Sequence, residues 1–237
     1  MPVRPSAWAS GLPTDQNHRV LDAVVFDFDG LILDTETPAF TSTATVFAEH
    51  GVELDRDWWL SIIGVADHPH WTELLEHALG RSLGNRDEVI AARNLVKNAE
   101  TEAKPIQPGV VELLDGCRDA GVRVAIASSS HSPWVCGHLE RLGLIDRFAF
   151  VATRDLVAAG KPAPDLFALA VDQLDADPAR SIGIDDSPAG VASAKAAGLM
   201  AIGVPGGMTA TADFAEADLV VGSVADLDAT GLSDLMP

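Results

Sequence analysis

Short apolar runs recur along the chain at 22–28, 122–127, around 148–152, at 181–184, 199–204 and 218–221, and stretches with helical spacing of apolar residues lie between most of them. Strand-like and helix-like patterns that alternate in this way predict an α/β fold, a mostly parallel sheet with helices on both faces. The rhythm breaks once. More than ninety residues separate the first two runs, far beyond what a crossover needs. Residues 37–104 carry no strand pattern but several amphipathic stretches, among them TSTATVFAEHG, HWTELLEHALG and EVIAARNLVKNAE. An inserted helical cap over 37–104 is therefore expected. Its return is marked by Lys104-Pro105 and Gln107-Pro108-Gly109, a turn-rich junction before the helix VVELLDGCRDAG. The core domain then comprises 20–36 and 105–237. Residues 1–19 carry Pro, Ser, Asn and Asp without an apolar leader-like stretch and read as a flexible N-terminal tail.

Composition narrows the choice of partners. Hydrophobic residues make up 47% of the 237, enough for a sizeable core, and no apolar stretch is long enough to span a bilayer. A net charge of −19, from 35 acids against 16 bases, argues against nucleic acid and against an anionic membrane surface. Cys117 and Cys136 lack metal spacing and read as reduced thiols of a cytoplasmic protein. If the ligand is a phosphate, local cations must override this field, so a metal site and a well-placed lysine are required.

The chain supplies both at strand ends. In VVFDFDGLILDTE, residues 24–36, Val24, Val25, Phe26 and Phe28 read as a buried strand that Gly30 ends with a turn. Asp27 and Asp29 would then emerge at the carboxyl edge of the sheet, where open α/β sheets bind ligands. Three further loops are expected at that edge: Ser128, Ser129 and Ser130 after VRVAIA, Gly160 and Lys161 in GKPAPDLF, and Asp185, Asp186 and Ser187 after SIGI. A carboxylate pair, a hydroxyl, a lysine and an acidic pair in one crevice suit phosphoryl transfer with Mg²⁺. Asp27 is the candidate nucleophile. Asp27, Asp185 and Asp186 are the candidate metal ligands, bound to the ion directly or through water. Lys161, Ser128 Oγ and backbone N–H groups of the turn at Gly30 would stabilise the transferring phosphoryl group. Asp29 is placed to protonate the leaving oxygen and then to activate water. Asp27, Asp29, Asp185 and Asp186 against one divalent ion and Lys161 leave about −1 before substrate, so without the metal a phosphate should hardly bind.

These four segments, VVFDFDGLILDTE, VAIASSS, GKPAPDLF and IGIDDSPAG, resemble the motifs of the haloacid-dehalogenase-like (HAD) superfamily, and the likeness runs from Leu21 to about Val221. The resemblance implies a Rossmann-like core. It also implies Asp27 as nucleophile, Asp29 as acid/base, Ser128 and Lys161 as phosphate ligands, and Asp27, Asp186, Asp185 and the Asp29 carbonyl around Mg²⁺. Dehalogenase members lack the second Asp of the pair, so Asp29 points to phosphate esters. Among members with such a helical cap, β-phosphoglucomutase-like enzymes carry a cap histidine, a cap arginine and a lysine beside the second motif. Here Ala39, Asp67 and the pair Ser130-His131 stand at those places. Phosphonatase members use a cap lysine, and 37–50 contains none.

The expected function is a Mg²⁺-dependent phosphatase acting on a small phosphomonoester through an aspartyl phosphate, with a hexose-phosphate mutase as the alternative. A receiver-type signalling module, which uses a similar residue set, is disfavoured by the chain order of the motifs and by the length. Ser129 and His131 join the expected substrate side of the site. Trp58, Trp59, His68, His70 and Trp71 are the cap residues from which substrate contacts would come. One of the adjacent tryptophans belongs to the cap core, because neighbours on a helix face different ways. The protein is expected to be a monomer or weak homodimer.

Overall fold

A computed structural model describes residues 21–236; the tail expected over 1–19 lies outside the described residues. Strands β1 (Ala23–Phe26), β2 (Arg123–Ala127), β3 (Phe150–Ala152), β4 (Ser181–Asp185), β5 (Met200–Gly203) and β6 (Leu219–Val220) form one sheet, in the order β3-β2-β1-β4-β5-β6. Every neighbouring pair is parallel. All six expected strands are present; five are trimmed by a residue or two at one or both ends, and β4 runs one residue further than expected, to Asp185. Phe28, expected within the first strand, lies beyond the end of β1 yet is fully buried.

Alternation along β1 explains the two faces of the sheet. Val24 and Phe26 point into one apolar cluster, with Leu113 and Cys117 of α5 (Val110–Ala120) and Val135 and Leu139 of α6 (Ser132–Arg141). Ala23 and Val25 point into the other, with Phe167 and Ala170 of α7 (Asp165–Gln173) and Val191 and Ala194 of α8 (Pro188–Ala196). A central parallel strand is covered on both sides, so it is apolar throughout rather than alternating. Helix α9 (Ala229–Asp234) closes the first face against α5. Gly183 is required in β4, since a Cβ there would lie 2.6 Å from that of Ala194.

Between β1 and α5 the chain forms α1 (Glu36–Glu49), α2 (Arg56–Ile62), α3 (Trp71–Leu79) and α4 (Arg86–Glu102) and no strand. They share an apolar cluster that includes Phe47, Trp59, Trp71 and Leu75. Arg93 of α4 is buried against α1, donating from Nε to Thr43 Oγ1 (2.9 Å) and from Nη2 to the Ala39 carbonyl (2.8 Å). The two connections between this helical segment and the sheet run side by side. Lys104 Nζ, just after α4, donates to Asp34 Oδ2, just before α1, at 2.7 Å. No helix among the described residues is long and apolar enough to cross a membrane.

Candidate active site

Strand register brings the acids together. Phe26 pairs with Ile126 on one side and with Ile184 on the other, so the loops after β1, β2 and β4 leave the sheet at the same edge. The Asp27 N–H donates to the Ile184 carbonyl at 2.9 Å, and the Ser128 N–H to that of Ala152 at 2.9 Å. Asp185 ends β4, and Asp186 is the next residue. One carboxylate oxygen from each of Asp27, Asp185 and Asp186 lies within 4.8 Å of the others, and all three residues are buried. Lys161, in the turn before α7, is 1% exposed; its Nζ donates to Asp185 Oδ2 at 2.7 Å and also to Asp27 Oδ1.

The electrostatics of this cluster call for a cation. Burial pushes the Asp27 carboxyl well above the usual range, and repulsion from Asp185 and Asp29 adds to it against the pull of Lys161. Asp186 is pushed up likewise, by burial first and then by Asp27, Asp185 and Glu36. Lys161 moves the other way from a buried lysine: burial disfavours its charge, but Asp185 and Asp27 outweigh that and raise its pKa. Three carboxylates and one ammonium leave two negative charges uncompensated, the charge of one divalent ion. An all-oxygen, buried set of this kind fits Mg²⁺, a hard cation.

Local structure holds the acids in place. Asp185 Oδ1 accepts from the Ser187 N–H (2.9 Å) and Oγ (2.7 Å), and Ser187 Oγ in turn accepts from the Gly190 N–H at the start of α8 (3.0 Å). A Cβ at Gly190 would lie 1.8 Å from the Asp185 carboxylate. Gly30 has φ +86°, and a Cβ there would lie 2.0 Å from Asp186 Oδ2. Both glycines therefore make room for an acid.

Asp29 is built differently. Its Oδ1 accepts from Thr35 Oγ1 (2.9 Å) and Trp134 Nε1 (2.8 Å); its Oδ2 accepts from Ser130 Oγ (2.7 Å) and Ser128 Oγ (3.3 Å). Two of these donors come from the β2–α6 loop and one from the first turn of α6.

A cavity of about 930 Å³ opens over Asp27 and Asp29 between the sheet edge and the four inserted helices. The loop after α2 closes down on the edge. Ser129 Oγ donates to the Gly64 carbonyl (2.9 Å), the Ala66 N–H donates to the Lys161 carbonyl (3.2 Å), and Arg154 pairs with Asp67 (3.2 Å). Among the ionisable groups that line the wall, Glu36 and Lys97 are both shifted toward neutrality. Glu36 is pushed up to about 7 by burial and by Asp29, and Lys97 is pushed down to about 8 by burial and by Arg93.

A family model described as haloacid dehalogenase-like hydrolase matches residues 24–204, which hold all four edge loops. The chain is a haloacid dehalogenase-like hydrolase. It is 37% identical over 215 residues to the putative phosphatase YhcW of Bacillus subtilis, spanning 91% of this chain and 97% of that one. To the beta-phosphoglucomutase of the same organism it is 30% identical over 216 residues, spanning 87% and 92%. The crystal structure of a CbbY mutant from Rhodobacter sphaeroides in complex with xylulose-(1,5)bisphosphate superposes with a TM-score of 0.69 at 28% identity, covering 90% and 99%. The enzyme stands among the phosphoric monoester hydrolases of this family.

In this hydrolase Asp27, Asp29, Ser128, Lys161, Asp185 and Asp186 meet at one edge, as the four segments led one to expect. Ser129 is engaged with the inserted loop at Gly64, and the Gly30 N–H is used internally, donating to the Leu33 carbonyl (2.8 Å). His131 sits at the rim, with its Nδ1 3.8 Å from Asp155. Trp59 and Trp71 are buried in the helical cluster and also line the cavity, and the indole N–H of Trp59 has no acceptor among the described residues. His68 and His70 form no ligand pair: His70 Nδ1 is taken by Thr72 Oγ1 (2.7 Å) at the start of α3, and His68 Nδ1 lies 2.9 Å from the Pro69 carbonyl. Sequence reasoning missed Trp134, Thr35 and the role of Ser130. The available signal was proximity in sequence: Thr35 and Ser130 belong to the first two motif segments, and Trp134 lies in the first turn of α6, two residues past its start at Ser132.

Proposed function

We propose that the chain is a Mg²⁺-dependent phosphatase of a small phosphorylated sugar or related metabolite, working through a phosphoaspartate on Asp27. The observation that carries this reading is the buried cluster of Asp27, Asp185, Asp186 and Lys161 beside the separately held Asp29. Asp27, Asp185 and Asp186, with the Asp29 carbonyl, would hold the metal. When bound, it relieves repulsion between the nucleophile and the phosphate. Lys161 neutralises charge on the transferring group, and the Ser128 hydroxyl adds a hydrogen bond. As Asp27 forms its bond to phosphorus, the bond to the leaving oxygen breaks and that oxygen takes a proton from Asp29. Asp29, now a carboxylate, takes a proton from the water that cleaves the phosphoaspartate, releasing phosphate and restoring Asp27. Acid/base help of this kind is worth roughly 10²–10⁴-fold.

Residues 37–104 act in this reading as a cap, hinged at the paired crossings near Asp34 and Lys104, that closes the cavity and supplies specificity. The mutase reading draws on the beta-phosphoglucomutase relative, but two positions speak for hydrolysis. Ala39 offers no side-chain group for acid/base or anion contact, and Asp67 brings an acid, paired with Arg154, where a second phosphate would need a cation. The test is phosphate release from a panel of sugar, nucleotide and other small phosphomonoesters, with Mg²⁺ and with EDTA. Metal-dependent release peaking on sugar phosphates is expected. Bisphosphate-dependent isomerisation of a hexose phosphate faster than phosphate release would overturn hydrolysis in favour of the mutase.

A further inference from the structure

Trp134 has no part in the reaction just described, yet it is the donor on Asp29 with the least freedom. We propose that Trp134 is a positioning residue: it fixes Asp29 Oδ1 as a permanent acceptor and so presents Oδ2 as the oxygen that exchanges a proton with the substrate. The inference rests on the reading of Asp29 as acid/base.

An indole N–H only donates, whereas a hydroxyl both donates and accepts and rotates to suit. The bond from Trp134 Nε1 to Oδ1 is 2.8 Å long, and Thr35 Oγ1 reaches the same atom at 2.9 Å. A hydrogen on Oδ1 would face the indole hydrogen, so the proton belongs elsewhere. Oδ2 meets only hydroxyls, Ser130 Oγ at 2.7 Å and Ser128 Oγ at 3.3 Å. Either can turn from donor to acceptor when Oδ2 carries a hydrogen, and turn back when it leaves. The transfer then breaks the bond from phosphorus to the leaving oxygen, whose electron pair takes the Oδ2 proton, while Asp27 bonds to phosphorus. Asp29 is left as a carboxylate with the indole still in place.

The indole is itself clamped. Lys97 Nζ, on α4, lies 3.7 Å from its ring centroid, and His138 packs edge-on at 4.3 Å between centroids. A cation over the ring face is attracted to it and draws electron density from the N–H, which strengthens the donor. Asp29 is thus oriented by a residue of the sheet domain held on its other face by an inserted helix.

The test compares kcat/KM for phenyl phosphate with that for p-nitrophenyl phosphate, whose leaving group departs with little need of a proton. Trp134→Phe keeps the ring beneath Lys97 and removes the N–H; Trp134→Leu, which also lacks a donor, serves if the first variant does not fold. Either should lower kcat/KM for phenyl phosphate about tenfold, the size of one lost hydrogen bond to a charged group, and for p-nitrophenyl phosphate less than about threefold. Asp29→Asn is the control and should show the same selectivity, more strongly. Equal losses on both esters in Asp29→Asn would remove the acid/base reading itself. Selective loss in Asp29→Asn with equal losses, or none, in a folded Trp134 variant would overturn the positioning role alone.

Discussion

Replacing Lys161 with Met removes the one cation from the buried acidic cluster while keeping an unbranched side chain of similar length. Lys161 is 1% exposed and bonded to both Asp185 and Asp27, so its loss leaves three carboxylates facing one another with nothing to offset them. At an effective dielectric near 20, each such pair carries roughly 4 kcal/mol of attraction at 4 Å, part of which is spent on desolvating the ammonium. Removing one partner of a buried pair costs about 3–5 kcal/mol in practice. For a chain of this size each kcal/mol moves Tm by about 2–4 °C, so Lys161→Met should melt roughly 6–20 °C lower than the parent. The measurement is thermal and urea unfolding at pH 8 in a chelator, so that no bound ion takes over the role of the lysine. Phosphate release with Mg²⁺ restored should also fall about 10²-fold or more, as when a preorganised electrostatic contact is deleted. A folded variant whose Tm stays within a degree or two of the parent in chelator would refute the claim that Lys161 holds the cluster together.

Asp27→Asn keeps the shape of the side chain but removes the nucleophile, so turnover should disappear while the circular dichroism spectrum is retained; near-parental phosphate release from this folded variant would exclude Asp27 as the attacking group. Burial pushes the Cys117 thiol up to about 12, and the residue is wholly inaccessible, so a Cys136→Ser protein should take no thiol label at pH 8 until urea unfolds it. Rapid labelling of that variant in buffer would show that α5 opens locally. His138 is held below the ordinary histidine pKa by burial first and by Arg141 next, so the unfolded chain takes up that proton before the folded one does. Stability at this site is complete above the ordinary pKa of about 6.5 and is lost as the pH falls through it, and His138→Gln should flatten the drop in unfolding free energy between about pH 7.5 and 5.5. Parallel profiles for the two proteins would count against it.

Much of the architecture was legible because its causes are local. A four-residue apolar run such as AVVF or MAIG fits a buried strand, and the alternation of such runs with helical periods leaves few arrangements other than a parallel sheet. The ends of the runs were less legible. Phe28 is as apolar and as buried as Phe26, yet it falls outside β1, because the backbone there turns into the loop that carries Asp29. Gly30 and Gly190 could be read as turn and helix-start residues, but not as the clearance for the Asp186 and Asp185 carboxylates, since those contacts lie across the fold or depend on one side chain's rotamer.

What the sequence by itself determined is the set of strands, the long helical insertion after the first of them, and four polar segments placed at strand ends and helix starts. Hydrophobic period and turn chemistry act over a few residues, so they are visible in one dimension. Tertiary structure alone decided the partners of each polar atom: that Lys161 bridges Asp27 and Asp185, that Ser129 reaches the loop at Gly64, and that Trp134, 105 residues from Asp29, donates to its Oδ1. Hydrogen bonds depend on angstroms and on direction, and those are set only when the helices pack against the sheet.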